Sequence, residues 1–407
     1  MKRPCHAVIV TPYFWPILAS STHLMKDLAE GLAESGLTVT VLTNAPANLT
    51  EVALDHPRLQ GRIHRGWNPF IRRLGVLPKV CEYAWFLAYF VLRGLFVPKV
   101  DLIFVASTPP LAGLPAALLA RLKGAKLVYN LQDLFPDSAV VGGMLSAGSP
   151  IYRILRRAEA LTYRLSDRVS AISPTFSEHV HSLAPGTRVD TVENWVDTDH
   201  IRPLEAAEDQ AITTFRQGGG FVVQYAGNMG LMQNLEVILQ AAQRLKEDRD
   251  ILFVFIGDGN AKAGLEALAR ERGLANCVFL PMQPLERVPS VYNACDVGVI
   301  PLKPGAAHLA VPSKTWNYLA AGRPVIGCVE DDSPLAAVIR DSGSGSVVPP
   351  SDAEALAQAT LEYRNSPERV RADGRRGREH VEAHLSRRIA VARFARMFNE
   401  MTTEEGT

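Results

Sequence analysis

"FVVQYAGNMGLMQNLEVILQAAQRLKEDRDILFVFIGDG", residues 221–259, decides the fold. An apolar run over 221–227 ends on Gly227, an amphipathic pattern covers 234–247, and a second apolar run over 251–259 ends in Gly-Asp-Gly. Runs of Val, Ile and Phe without polar alternation, bounded by glycine, mark parallel strands buried on both faces. The rhythm continues downstream. A helical pattern over 261–273 leads to "VFLP", and "DVGVIPL", "RPVIGCV" and "SGSVVPP" follow, each separated by a helical stretch. This is a doubly wound α/β domain.

The first half repeats the scheme. "HAVIVTPY" precedes the helical "HLMKDLAEGLAESG" and the strand "TVTVLT". "DLIFVAS", the helix "PLAGLPAALLARLKG", "KLVYNLQD", the helix "IYRILRRAEALTYRLSD", "RVSAIS" and "RVDTVENWVD" come after it. Between Asp197 and Gly220 the periodicity fades, which predicts a linker. The 407 residues suit two domains. The expected division is 1–200, then 218–384, with a helix over about 385–407 returning to the first domain. Two Rossmann-like halves facing across a cleft place ligands at the carboxyl ends of the strands.

Composition excludes several functions. Net charge is +1, basic and aromatic residues do not alternate, and no zinc-finger spacing occurs, so nucleic acid is not an expected partner. Five scattered cysteines without a CxxC suit a reducing cytosol. "MKRPCHAVIVTPYF" reads as a first strand rather than a signal peptide. "YAWFLAYFVLRGLFV", 83–97, is apolar apart from Arg93 but shorter than the roughly 20 residues that cross a bilayer. It reads either as a buried helix or as one lying in a membrane surface, with Arg62, Arg65, Arg72, Arg73 and Lys79 available to anionic headgroups.

"VPSKTWNYLAAGRPVIG", 311–327, carries the chemistry. A short helical pattern opens on Ser313 and Lys314 and places Asn317 one turn on. Ser313 is expected to cap the helix. Unpaired N–H groups and the Lys314 ammonium suit a diphosphate, and Asn317 suits a ribose hydroxyl. "YAGNMG", with Gly227, Asn228, Met229 and Gly230, and "GDG", with Gly257, Asp258 and Gly259, are turns where backbone can approach a ligand. "FLPMQP" offers Gln283 and backbone groups to a flat base. His23 and His308 are weaker candidates. "EDD", 330–332, reads as a helix start rather than a metal motif, and no GxSxG elbow occurs.

These motifs, with "VFLPMQP", "YNACDVGVIPL", "VTPYFWP", "NLQDLFPDSAV" and "VENWVD", occur in an order that resembles family 4 retaining glycosyltransferases of the GT-B fold. The similar subset builds bacterial surface polysaccharides, such as the N-acetylfucosamine and colanic acid transferases. The resemblance implies that Gly227–Gly230 approach the donor diphosphate and that Gly257–Gly259, Met282 and Gln283 line a nucleobase pocket. It implies that Ser313 and Lys314 hold the diphosphate and Asn317 the ribose. Ala19, Ser20 and Ser21 stand where many relatives have a Gly-Gly turn near the donor, and Asp133 and Asp137 would contact acceptor or donor sugar. The chain departs from the pattern at three places. Leu309 and Asn317 replace a glutamate pair, Gln233 stands near an expected basic residue, and the Gly-Gly turn is absent.

The implied reaction is metal-independent and cofactor-free transfer from a nucleotide diphosphate sugar, UDP-linked, to a polyprenyl-linked or saccharide acceptor. Its expected setting is the cytoplasmic face of the cell membrane, in O-antigen, capsule or exopolysaccharide assembly. A nucleotide-sugar epimerase and a non-catalytic nucleotide-sugar-binding assembly partner are the alternatives.

Overall fold

A computed structural model describes residues 3–17, 22–45, 56, 58–59, 61–70, 76–205, 209–218, 220–309 and 312–403. The chain forms two compact units, one of 1–194 with 387–407 and the other of 195–386.

The first unit runs β1 (His6–Val10), α1 (Thr22–Glu34), β2 (Thr38–Asn44), β3 (Ile63–Gly66), α2 (Val76–Leu95), β4 (Leu102–Ala106) and α3 (Gly113–Lys123). It continues with β5 (Lys126–Leu131), α4 (Asp137–Val141), α5 (Pro150–Leu165), β6 (Arg168–Ala171), α6 (Pro174–Leu183) and β7 (Val189–Thr191). The second unit opens with α7 (Gln210–Arg216), β8 (Phe221–Ala226), α8 (Glu236–Arg244), β9 (Ile251–Ile256), α9 (Lys262–Glu271) and β10 (Cys277–Leu280). Then come α10 (Val288–Asn293), β11 (Val297–Pro301), α11 (Lys314–Ala320), β12 (Val325–Cys328), α12 (Pro334–Ser342), β13 (Gly345–Val348), α13 (Ala353–Arg364) and α14 (Pro367–His384). The last helix, α15 (Arg387–Thr403), belongs to the first unit.

Both sheets are parallel throughout the described pairings. Their orders are β3-β2-β1-β4-β5-β6-β7 and β10-β9-β8-β11-β12-β13. Each starts mid-sheet, builds outward, then returns to the other side. The switch points fall between β1 and β4 and between β8 and β11, where the carboxyl edge of a doubly wound sheet opens a crevice. The inner strands are buried, as Val8, Ile9, Val223 and Phe253 show, because helices cover both faces, while the edge strands β3, β7, β10 and β13 are mostly half-buried.

Helix ends follow local chemistry. Ser149, Ser173 and Ser333 each accept a backbone N–H at the start of α5, α6 and α12, and a proline follows each serine. Ser333 rather than 330–332 therefore starts α12, and the "EDD" run is the loop before it.

Two expectations change. The region 197–220 is not wholly a linker. Asp209 caps the Ala211 N–H and starts α7, which buries Ile212 and Phe215. Seven residues are too few for a periodicity to stand out. Of the apolar segment 83–97, all but Phe96 and Val97 is the later part of α2, which begins at Val76 and ends at Leu95. Phe86 and Phe90 are fully buried while Leu92, and Phe96 just past the helix end, are exposed, so the helix is two-faced. Among the described residues no helix is long and apolar enough to cross a membrane.

Candidate active site

The second unit's site is built where β8 and β9 leave the sheet together. Gly227, Gly257 and Gly259 have φ of 134°, 149° and 150°. L side chains rarely adopt such values. The turns lie against one another. A Cβ on Gly257 would meet the Gly227 carbonyl oxygen at 2.0 Å, and one on Gly259 would meet that of Met229 at 2.5 Å. Backbone bonds zip them: Gly227 N–H to Ile256 O at 2.9 Å, Met229 N–H to Asp258 O at 2.8 Å, and Ala261 N–H to Met229 O at 2.9 Å. Gly257 and Gly259 are thus required by turn-on-turn packing.

Lys314 lies over this double turn. A Cβ on Gly227 would sit 3.3 Å from its Cε and Nζ, so only glycine leaves the ammonium its full space. The ammonium donates to the Tyr225 hydroxyl and stands 3.9 Å from the centre of that ring. Tyr225 in turn donates to the Asn228 carbonyl at 2.5 Å. No carboxylate pairs with Lys314 in the described ion pairs. Burial pulls its ammonium down to about 7, although the side chain keeps some exposure. A cation without a counter-charge at a sheet's carboxyl edge favours an arriving anion.

The other expected residues sort themselves. Ser313 precedes α11, but its φ is −59° and its side chain makes no cap bond, so the expected cap is absent. A serine in helical backbone geometry does not present its oxygen to the N–H groups two or three residues on. Its hydroxyl is left for other partners. Asn317, partly exposed, reaches the Tyr292 hydroxyl. Met229 is fully buried in the core, so only its backbone faces the turn. Asn228 and Asp258 are exposed, and Asp258 accepts the Gly259 N–H at 2.8 Å. Met282 is exposed. Gln283 lines a cavity of about 420 Å³ with Thr214, Phe215, Leu280 and Arg287. Gly227, Gly257 and Lys314 do not line that cavity, though Gly257 N–H donates to Leu280 O at 3.2 Å. His308 pairs with Asp332 at 3.4 Å.

In the first unit, Asp133 follows β5. The Ser138 hydroxyl donates to it at 3.1 Å, and burial holds its carboxyl above the usual range. Asp137 accepts from the Tyr152 hydroxyl and from Arg156, both at 2.7 Å, so its carboxylate is tied to α5. A polar ladder orients the backbone beside Asp133. Asn194 donates to Gln132 at 2.9 Å, Gln132 to Asn130 at 2.7 Å, and Asn130 to Ser170 at 3.3 Å. His23 is pulled down to about 4 by burial and is neutral at pH 7. Ser20 and Ser21 lie outside the described residues, as do Ala19, Arg72 and Arg73.

Sequence reasoning passed over Tyr225, whose hydroxyl joins Lys314 to the turn, and Lys262, which holds the Gly257 carbonyl at 2.9 Å. The tyrosine two residues before Gly227 was the available signal. Gln233 gains weight: its Oε1 is buried beside Gly230 without a hydrogen-bond partner among the described residues.

Comparison with known proteins bears on the fold and family. Residues 22–195 match the glycosyl transferase 4-like domain and residues 208–380 the glycosyl transferases group 1 domain. A probable glycosyltransferase, WbjE, of Pseudomonas aeruginosa is 30% identical over 63% of this chain and 64% of its own length. The putative colanic acid biosynthesis glycosyl transferase WcaI of Escherichia coli is 29% identical over 59% of this chain and 60% of its own. The chain thus spans somewhat less than two thirds of these relatives. Sucrose-phosphate synthase from Thermosynechococcus elongatus superposes with a TM-score of 0.81 at 18% identity, covering 98% of this chain and all of that one. HepE of Anabaena, solved with UDP and glucose, gives 0.73 at 15% identity over 97% and 99%. The fold is GT-B, and the chain joins a glycosyl transferase 4-like domain to a glycosyl transferases group 1 domain.

Proposed function

We propose that this protein transfers a sugar from a UDP-sugar to a lipid-linked or saccharide acceptor in bacterial surface polysaccharide synthesis, with retention at the anomeric carbon. The observation that carries the reading is Lys314, an uncompensated cation held above Gly227 by Tyr225. WbjE and WcaI, a probable and a putative glycosyltransferase, support the reaction class, and HepE with UDP supports the donor. The residue order within 311–327 and the two glycine turns support the same site.

In this reading Lys314 and the first turn of α11 take the charge that develops on the departing diphosphate, a role that needs no divalent metal. Asn317 contacts the ribose, and Ser313 with the Gly227–Gly230 backbone contacts the phosphates. Met282 and Gln283 contact the base, and His308 approaches the donor. The orphan Gln233 oxygen accepts a donor hydroxyl. The acceptor oxygen bonds to the anomeric carbon as the carbon–phosphate oxygen bond breaks, and its proton passes to the leaving phosphate. Asp133 orients the acceptor. Its neighbour Asp137 holds that segment through Arg156. The enzyme works on the inner face of the cell membrane, with α2 as its contact.

Thermal stabilisation by a panel of nucleotide sugars, with UDP release measured in parallel, tests the reading. Stabilisation by UDP-sugars together with UDP release on adding acceptor is the expected result. A second reading rests on Leu309 and Asn317, which stand where the family resemblance implies a pair of glutamates. Stabilisation without any release of UDP identifies a binding partner instead.

A further inference from the structure

Three helices of the first unit share one outer surface. α3 packs between α2 and α5. Gly94 of α2 closes on Leu119 of α3, and Gly113 of α3 on Thr162 of α5, so no gap separates them. Their inner faces bury Phe90, Leu119 and Tyr163. Their outer faces leave Leu92, Leu118, Leu122, Leu161 and Leu165 exposed, and Phe96, just past the end of α2, is exposed too, Phe96 to 77% and Leu92 to 62%. Single exposed leucines are ordinary, but a band across neighbouring helices marks an interaction surface.

Charge says what the surface meets. The three helices hold ten charged residues, eight of them basic. The two acids both turn inward: Glu82 accepts from the Tyr13 hydroxyl and Lys79, Glu159 from Tyr163 and Arg156. Exposed Arg121, Arg153 and Arg157 therefore stand on the outer side of these helices, which carry no exposed acid, while Arg164 donates to the Leu183 carbonyl at 3.3 Å. A two-fold dimer through this face would set arginine against arginine. An interface that is apolar within and anionic at its rim satisfies both halves of the pattern.

We propose that the outer surface of α2, α3 and α5 docks the first unit on an anionic lipid bilayer. The leucines and Phe96 enter the acyl boundary, and the arginines meet headgroup phosphates. This deepens the membrane part of the proposed function and enlarges it from one helix to three.

The test uses the full chain with vesicles of phosphatidylcholine, alone or with phosphatidylglycerol. Sedimentation with the anionic vesicles only, weakening with salt, is the expected result. Arg153→Glu with Arg157→Glu, and separately Leu92→Gln with Phe96→Gln and Leu122→Gln, are each expected to cut the bound fraction by roughly tenfold or more. Melting temperature and stabilisation by UDP should not change. Should the apolar variant fail to fold, the arginine pair, on the solvent side, carries the test. Wild-type binding that both variants retain overturns the docking face. A wild-type chain that binds UDP and no vesicle overturns the docking and leaves sugar transfer standing, whereas vesicle binding without UDP binding does the reverse. A wild-type dimer that the variants dissociate makes this face a self-association surface and also overturns the proposal.

Discussion

The Lys314 ammonium stands 3.9 Å above the ring of Tyr225 and donates to its hydroxyl, so among the described residues the cation is held by a neutral partner. A carboxylate there would neutralise it and weaken its pull on a diphosphate. The tyrosine fixes position without cancelling charge. Lys314→Ala is expected to weaken UDP binding by roughly 1.5–3 kcal/mol, the range for a hydrogen bond to a charged group. Tyr225→Phe should keep the ring and lose the positioning bond, with a smaller loss. Titration calorimetry with UDP measures both, and an unchanged affinity for Lys314→Ala removes the phosphate role.

The same contact makes donor binding depend on pH. Burial lowers Lys314 from 10.5 to about 7 in the free protein. A bound diphosphate favours the charged form, so binding takes up a proton once pH rises above about 7. UDP affinity should fall as pH rises from 7 toward the bound-state value, and Lys314→Arg should flatten the curve. Folding has the opposite slope: the unfolded chain binds more protons between about 7 and 10.5, so this group's contribution to stability increases with pH there. Calorimetry in buffers of different ionisation enthalpy at pH 8 detects the proton uptake. No uptake contradicts the coupling.

Gly257 cannot become alanine without moving a backbone. Its φ is 149°, and the new Cβ would meet the Gly227 oxygen at 2.0 Å. Gly257→Ala is expected to cost about 2–4 kcal/mol and to abolish UDP binding by displacing Gly227. Gly264, inside α9 with nothing within 4 Å of its Cβ position, is the control. Gly264→Ala should stabilise by about 0.5–1 kcal/mol. Urea unfolding compares the two, and equal midpoints would show that the turns adapt.

The inner strands and both glycine turns were legible because burial on two faces leaves uninterrupted Val, Ile and Phe runs, and a turn-on-turn contact admits only glycine; the edge strand β3, Ile-His-Arg-Gly, has no such run and was missed. Lys314 was legible from its place at a helix start. What it rests on was not. The Tyr225 hydroxyl reaches it across 89 positions of sequence, and only the parallel register of β8 and β11 brings them together. Ser313 misled because capping depends on backbone angles, which residue type does not report. Asp137 read as a site carboxylate because its partner Arg156 lies 19 positions away on another helix.

α7 gives a stability test of the region that reads as a linker. Asp209 accepts the Ala211 N–H at 2.8 Å and the Ser290 hydroxyl of α10. The Ser290 bond, then the Ala211 N–H, holds its carboxyl below the usual range. Asp209→Ala is expected to destabilise the second unit by about 1–2 kcal/mol. A depressed carboxyl stabilises above its unfolded value, so the wild-type advantage should shrink as pH falls through the acidic range. Chemical unfolding monitored at Trp316, buried in the same unit, reads it. Identical midpoints at pH 7 would show that α7 contributes nothing.

Asp133 separates chemistry from folding. Its carboxyl sits above the usual range because burial disfavours the charge, and the Ser138 hydroxyl offsets this in part. A raised carboxyl stabilises the fold below its unfolded value and loses that contribution as pH rises through the raised one. Asp133→Asn removes the charge that burial penalises and keeps an acceptor for Ser138. Stability at pH 7 should therefore hold or increase, while sugar transfer falls by roughly 100-fold or more if the carboxylate orients the acceptor. UDP binding, which the second unit supplies, should not change. A variant that transfers sugar at the wild-type rate makes Asp133 a structural carboxylate, and one that loses stability together with activity shows that Ser138 needs the charge.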